Sequence, residues 1–235
     1  MKKPIAIIPA RGNSKRIPKK NIIDFNGQPL IQWTIEAALQ SQSFEQVFVS
    51  TDNEEIAKIA RECGAEVPFL RDAYADDQST VSQSTSWFVK KLRENAADAS
   101  CESVVQLMAN CPIRTIDTIR AFVSFASTSP SSVISVVEPK FGSPYWAMTC
   151  DESKRGRFLF EEYSSQRSQD LPQNYYPTGS LWYSSVERLI EAESFYSADY
   201  RVFDVPWLEA IDIDTREELD IAACLHRAMF VDKSI

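Results

Sequence analysis

The sequence predicts an α/β protein in which a mostly parallel sheet is flanked by helices. Short apolar runs without polar alternation, such as Ile-Ala-Ile-Ile at 5–8, are typical of strands buried on both faces. These runs alternate with segments in which apolar residues recur at helical spacing, which indicates parallel strands joined by crossover helices. With 44% hydrophobic residues, the 235-residue chain can bury a full core as a single domain, 1–235.

The first half of the chain alternates strands and helices. We expect strands at 5–8, 46–50, 66–69 and 103–108, and helices at 29–40, 53–63, 82–94 and 116–126. Pro9 and Gly12 interrupt any regular period after the first strand, so a loop follows it. Asp52 and Glu55 have the spacing of a capping box for the second helix, and Gly64 ends that helix.

The second half contains a segment that breaks this alternation. We expect its strands at 133–137, 145–148, 157–160, 178–183 and 200–205. Residues 138–174 are rich in proline, glycine, serine and charge, so we interpret them as an inserted lobe or arm. Thr215 and Glu218 form a capping box for a last helix.

Composition excludes several classes of protein. The chain has no run of 18 apolar residues, so we expect no membrane span, and the apolar stretch at 5–8 is too short for a signal peptide. We therefore expect a cytoplasmic protein. Five widely spaced cysteines without a C-x-x-C pair argue against a zinc site and a disulfide framework. The net charge of −8 disfavours nucleic acid and anionic membranes as partners.

The loop after the first strand concentrates positive charge in this acidic chain. It carries five cations: Arg11, Lys15, Arg16, Lys19 and Lys20. Ligands of parallel sheets bind beyond the carboxyl ends of the strands, where this loop must lie. Arginine and lysine pair with phosphate oxygens, and Gly12 allows backbone amides to approach closely. The loop suits a nucleoside triphosphate, although it has neither the Walker nor the dinucleotide glycine pattern; a solvated basic turn is the alternative.

Two aspartates stand close together near the end of the chain. In the segment 210–215 we expect a strand end at which Asp212 and Asp214 point to the same face. Two converging carboxylates repel each other unless a cation lies between them, and such oxygen ligands suit Mg²⁺ held together with substrate phosphates. The alternative is that Asp214 only caps the last helix.

Four segments together resemble a known family. They are 8–21 (IPARGNSKRIPKKN), 49–52 (VSTD), 111–114 (CPIR) and 211–215 (IDIDT). In this order, and over nearly the whole chain, they are similar to segments of the acylneuraminate cytidylyltransferases, also called CMP-sialic acid synthetases. The resemblance implies the Rossmann-like fold of nucleotide-diphospho-sugar transferases, with a dimer formed through an arm at about 138–178. It also implies attack by the sugar's anomeric hydroxyl on the α-phosphorus of CTP, with loss of pyrophosphate.

The resemblance also implies roles for individual residues. Those implied to bind the nucleotide are Ala10, Arg11, Gly12, Asn13, Ser14, Lys15, Lys20, Asn21 and Arg71. Those implied to be catalytic are Arg11, Lys15, Asp212 and Asp214, with the two aspartates binding Mg²⁺. The single histidine, His226, lies among apolar residues of the last helix and is expected to be an ordinary helix residue rather than a base.

The sugar side departs from the family pattern. Met108 stands where the family has a glutamine, Trp146 where it has a lysine, and Tyr176-Pro177-Thr178-Gly179 where it has R-P-N-G. The segment 167–172 (RSQDLP) resembles one in relatives that act on legionaminic or pseudaminic acid. The candidate sugar-binding residues are Met108, Trp146, Arg167, Gln169, Tyr176 and Thr178. We therefore expect a nine-carbon acidic sugar as the second substrate.

Two other functions are compatible with parts of this pattern. One is a cytidylyltransferase for an eight-carbon acid such as Kdo, or another sugar nucleotidyltransferase of the same fold. The other is a catalytically silent nucleotide-sugar binding protein, which would be expected to lose Lys15 or one of the aspartates. All of these residues are present.

Overall fold

A computed structural model describes residues 2–76, 78–95, 101–140 and 142–231. Its strands and helices in chain order are β1 (Ile5–Pro9), β2 (Asp24–Phe25), β3 (Gln28–Pro29), α1 (Leu30–Ser41), β4 (Val47–Ser50), α2 (Glu54–Glu62), α3 (Val81–Asn95), β5 (Ser103–Gln106), α4 (Ile116–Ala126), β6 (Ser132–Val137), β7 (Met148–Cys150), β8 (Gly156–Phe158), β9 (Tyr176–Ser185), α5 (Val186–Ala192), β10 (Tyr200–Asp204) and α6 (Arg216–His226). Within the described ranges, no helix is both long and apolar enough to span a membrane.

Six strands form the central sheet in the order β10-β6-β9-β5-β1-β4. Strand β1 pairs in parallel with β4 on one side and β5 on the other, and β6 pairs in parallel with β10. Only β9 among these six runs antiparallel, between β5 and β6. The predicted mostly parallel sheet is confirmed.

Helices cover both faces of the sheet because successive strand side chains point to opposite sides. Ala6 and Ile8 of β1 pack into the core cluster shared with α1, α2 and α4, whereas Ile5 and Ile7 pack into the cluster shared with α3 and α5. A third cluster brings Ile17 of the basic loop against residues of the hairpin β2–β3, α6 and the segment between the two aspartates. This third cluster packs the basic loop against the segment that carries Asp212 and Asp214.

The predicted third strand at 66–69 is wrong. Glu66 forms only an isolated bridge with Phe48, and residues 67–69 are in no strand. Pro68 explains this, because proline has no N–H to donate to a sheet ladder. The second helix also begins differently from the prediction: its N-cap is Asn53, whose side chain accepts the N–H groups of Glu55 and Ile56, and not Asp52.

The arm lies between β6 and β9. Its predicted strands at 145–148 and 157–160 are shifted: a 3₁₀ turn occupies Pro144–Trp146, and a short hairpin pairs β7 with β8. None of the described residues from 138 to 177 is buried. Helix α5 and the hairpin β2–β3 were not predicted, whereas the capping box of Thr215 and Glu218 at α6 is confirmed.

Candidate active site

A cleft of about 500 Å³ opens beyond the carboxyl ends of β1 and β5. Of the residues predicted to bind nucleotide, those that line it are Arg11, Ser14, Lys15, Lys20, Asn21 and Arg71. Three others are not among its lining residues: Ala10 is buried in the core, Asn13 is exposed, and Gly12 packs against Asn53. The cleft therefore has one strongly cationic wall.

Gly12 packs closely against the start of α2. Its N–H donates to Asp52 Oδ1 at 2.7 Å, so this amide is already used within the protein. A Cβ at Gly12 would lie 2.8 Å from Cβ of Asn53, which is too close for any side chain there. Asn53 is itself fixed as the N-cap of α2. Glycine is therefore required so that the basic loop can pack against the start of α2.

Two further predicted residues are fixed by hydrogen bonds in the cleft. The Asn21 amide donates to the backbone carbonyl of Arg11 at 2.9 Å, which holds the two ends of the basic loop together. Arg71 is buried, its N–H donates to Thr51 O at 2.7 Å, and its guanidinium contacts the Ser50 hydroxyl. Burial lowers the pKa of Arg71, and the charge of Asp52 partly offsets that effect.

Asp214 connects the aspartate segment to the basic loop. Its carboxylate accepts from Lys20 Nζ at 2.8 Å and from the Arg16 guanidinium, and Lys20 also donates to Ile213 O at 2.7 Å. Burial would raise the pKa of Asp214, but the bonds and charges of Lys20 and Arg16 outweigh it, so this pKa is lowered. The helix cap is Thr215, so the alternative that Asp214 only caps α6 is wrong.

Asp212 is in a less favourable environment for its charge. The residue is open to solvent, yet protein atoms crowd its carboxylate; this desolvation, followed by the nearby charge of Asp214, raises the pKa of Asp212 to about 6. The Asn110 amide donates to the Asp212 carboxylate. The expected strand end is wrong, since residues 211–214 lie in no strand or helix of the described chain. The two carboxylates nevertheless lie close enough to perturb each other.

The predicted sugar-binding residues do not form one site within a single chain. Met108 lines the cleft, and Trp146 and Gln169 line a separate cavity of about 410 Å³ in the arm. The remaining three lie elsewhere. Arg167 pairs with Asp170 at 2.7 Å, Tyr176 is exposed, and Thr178 is buried against the Ser135 hydroxyl at 2.7 Å.

A second group of cleft residues was missed in the sequence analysis. Its members are Tyr74, Asp76, Ser79, Thr80, Val81 and Ser84. Asp76 Oδ1 accepts the N–H groups of Ser79 and Gln78, and these bonds lower the pKa of Asp76. Thr80 and Gln83 exchange capping bonds at the start of α3. That T-x-x-Q spacing is a signal in the sequence that could have placed this helix start.

Comparison with known proteins identifies the family. A family model described as Cytidylyltransferase matches residues 5–135. The chain belongs to the cytidylyltransferase family. It is 32% identical to a pseudaminic acid cytidylyltransferase of Campylobacter jejuni subsp. jejuni, over 96% of this chain and 97% of that protein. It is 36% identical to a CMP-N,N'-diacetyllegionaminic acid synthase of Legionella pneumophila subsp. pneumophila, over 90% of each chain.

Solved structures support the fold of this family member. A CMP:2-keto-3-deoxy-manno-octonic acid synthetase complexed with CTP superposes with a TM-score of 0.70, over 97% of this chain and 99% of that one. The two chains are 18% identical, so the likeness concerns the fold. The resemblance found in the four sequence segments is confirmed by the family model and by relatives that cover nearly the whole chain.

Proposed function

We propose that this protein transfers CMP from CTP to the anomeric hydroxyl of a nine-carbon acidic sugar and releases pyrophosphate. The observation that carries the proposal is the cleft, in which the cationic loop and Asp214 line the same space, while Asp212 accepts from the lining residue Asn110. Relatives that match nearly the whole chain are named as cytidylyltransferases or CMP synthases for pseudaminic and legionaminic acids. We therefore favour a bacterial nonulosonic acid as the acceptor.

The cationic wall supports binding of a triphosphate. Arg11, Lys15 and Lys20 line the cleft in a chain of net charge −8, so positive charge is concentrated where the phosphates would lie. Arginine and lysine form charge-assisted bonds with phosphate oxygens, and they stabilise the charge that develops on the leaving pyrophosphate. We propose that Asn21 and Arg71 lie on the cytidine side of the same cleft.

The aspartate pair fits a divalent cation. Asp214 already holds two cationic groups, and Asp212 resists ionisation because it is desolvated and next to Asp214. The described residues contain no cluster of three or more histidine, cysteine or acidic groups that could hold a metal, so its other ligands would come from phosphates. We propose Mg²⁺, which when bound would offset charge on the phosphates.

His226 does not act as the base in this proposal. Its ring is buried against Trp33 and Phe25, with centroid distances of 4.2 and 5.2 Å, and the Asn26 amide contacts Nδ1. Burial lowers the pKa of His226. The side chain packs the hairpin β2–β3 against α6, which supports a structural role.

We propose that the protein is a homodimer formed through the arm. Met148 and Leu159 of the arm expose 55% and 57% of their surface, and Phe160 and Tyr176 are also exposed. A two-stranded hairpin with apolar side chains in water is at best marginally stable. A second copy of this chain would cover these side chains.

All five cysteines are free thiols, which is compatible with a reducing cytoplasm, and we propose that compartment.

Pyrophosphate release tests the proposed reaction. The purified protein is incubated with Mg²⁺, one of CTP, ATP, GTP or UTP, and one of a panel of nine-carbon and eight-carbon acidic sugars. We expect release with CTP and a nonulosonic acid. The Asp117→Asn variant is a matched control, because Asp117 is an exposed carboxylate on α4. Binding of CTP without release for any acid would contradict the reaction and favour a nucleotide-sugar binding protein.

A further inference from the structure

The segment that carries the two aspartates is held in place by side chains. Residues 211–214 lie in no strand or helix of the described chain, so no regular ladder fixes them. Their neighbours do so instead: Lys20 donates to Ile213 O, and Glu218 accepts the N–H of Asp214 at 2.8 Å. These contacts act on positions 213 and 214. A different residue must orient Asp212.

Asn110 makes that connection. Its side-chain amide donates to the Asp212 carboxylate and to Ile213 O at 3.3 Å, and its backbone carbonyl accepts the Ile213 N–H at 3.0 Å. Only 5% of Asn110 is exposed, and the residue is one of those that line the cleft. Three hydrogen bonds therefore join one residue to two consecutive positions that lie more than 100 residues further along the chain.

Asn110 stands on a firmly held turn. The Met108 N–H donates to Gly179 O at 3.3 Å, which ties the turn to β9. The buried Arg114 donates through Nη2 to Met108 O at 3.2 Å and through Nε to the Ser180 hydroxyl at 3.1 Å. The side-chain amide of Asn110 is therefore held by a turn with its own hydrogen bonds. It bonds to residues 211–214, which lie in no strand or helix.

We infer that Asn110 is a positioning residue that orients Asp212 for the divalent cation. The inference rests on the proposed function. A single amide donor binds one side of the carboxylate, so the other oxygen stays available to a cation, and the donor offsets part of the repulsion from Asp214. Removing a hydrogen-bond partner of a metal ligand typically weakens metal affinity by about 10- to 100-fold.

The test measures metal binding without the sugar. Mn²⁺ is titrated into the protein with saturating CTP, and the free ion is followed by electron paramagnetic resonance. Asn110→Leu has nearly the same shape but no donor, and we expect Mn²⁺ affinity to fall about 10- to 100-fold. We expect CTP affinity without metal to change by less than about threefold, because Asn110 is not on the cationic wall.

Two further variants separate positioning from general damage. Asn110→Thr keeps a short donor and should recover part of the lost Mn²⁺ affinity. Ser132→Ala removes a buried hydrogen bond to Ser184, away from the cleft, and should leave Mn²⁺ affinity unchanged. Wild-type Mn²⁺ affinity in folded Asn110→Leu would overturn the inference. So would an equal loss of CTP affinity without metal, or the same weakening in Asn110→Thr as in Asn110→Leu.

The result is independent of the sugar reaction. If the wild-type protein binds Mn²⁺ with CTP and Asn110→Leu does not, the inference stands even when no acid in the panel releases pyrophosphate. In that case only the proposed transfer reaction fails. If the wild-type protein with CTP shows no Mn²⁺ site, the inference is overturned.

Discussion

The basic-loop side of the cleft and the arm differ in how their residues are held. On the basic-loop side, Gly12, Asn21 and Arg71 are each fixed by hydrogen bonds within the chain. In the arm, no described residue between 138 and 177 is buried, and Met148 and Leu159 are mostly exposed. The basic-loop side is therefore held by internal hydrogen bonds next to the central sheet. The arm exposes apolar side chains and has no buried core of its own.

This difference bears on where each substrate would be recognised. A site whose residues are locked before binding needs no further ordering, so a single chain can supply it. Of the six candidate sugar residues, Met108 lines the cleft, Trp146 and Gln169 line the arm cavity, and the other three line neither. We therefore expect CTP binding to survive changes to the arm, and sugar turnover to depend on them.

The largest expected effect comes from Asp212→Asn. The change removes one carboxylate of the proposed metal site, and we expect CMP-sugar formation to fall about 1,000-fold. The melting temperature should not decrease, because the variant also removes the repulsion between Asp212 and Asp214. Pyrophosphate release measures the loss of turnover, and thermal denaturation measures the melting temperature. Asp117→Asn, at an exposed carboxylate, is the control. Turnover near that of the wild-type protein would reject the metal assignment.

A smaller effect is expected from Leu159→Asp in the arm. A charge at this exposed apolar position would oppose its burial against a second copy, and we expect the dimer dissociation constant to rise about 100-fold. Light scattering across a dilution series measures the constant. Ile221→Asp is the matched control, because Ile221 is also half exposed but lies on α6.

The same pair of variants tests the division between the two regions. CTP affinity should stay within about threefold of wild type in Leu159→Asp, while sugar turnover falls. If Ile221→Asp dissociates the dimer instead, the interface lies on the α6 side and the proposed arm interface is wrong.

Local signals predicted much of the fold and of the basic loop. Alternation of apolar runs and helical spacing placed β1, α1, β4 and α2 to within about two residues, because such patterns depend on neighbouring positions. The prediction of a strand at 66–69 is wrong because Pro68 lacks the N–H that a sheet ladder needs, although Val67 and Phe69 are apolar. The hairpin β2–β3 had a signal that was overlooked: Asn26-Gly27, both at positive φ, is a typical two-residue hairpin turn.

The candidate site could be predicted only in part. The cations and the aspartates stand in compact motifs, and most of them line one cleft or lie beside it. Asn110 and Asp212 are far apart in sequence, so nothing local indicates that they meet. The second group of cleft residues, which includes Tyr74, Asp76 and Ser79, begins in a segment without helical or strand periodicity. The catalytic, nucleotide-binding, metal and sugar roles, and the dimer, stay predictions.

A third variant compares two glycines, one in each region. Gly12→Ala places a methyl group 2.8 Å from Asn53 Cβ, which α2 holds in place, so the basic loop must shift. We expect KM for CTP to rise about 10-fold. Gly156→Ala makes an equally close contact, at 2.7 Å, but with the flexible end of Met148 in the arm. Steady-state kinetics should show little change in KM for CTP in Gly156→Ala. An equal rise in KM in both variants would contradict the difference between a rigid basic loop and an adaptable arm.

The smallest expected effect concerns pH. The pKa of Asp212 is raised to about 6 in the ligand-free protein by desolvation and by the charge of Asp214. A carboxyl with a raised pKa takes up a proton as pH falls through that value, and only the ionised form binds a cation well. Mn²⁺ affinity with CTP should therefore fall about twofold between pH 7 and pH 6 and more steeply below. Asp214→Asn removes the repelling charge, so the pKa of Asp212, followed by carboxyl NMR without metal, should move down. An unchanged or higher pKa of Asp212 in that variant would show that the two carboxylates do not share one site.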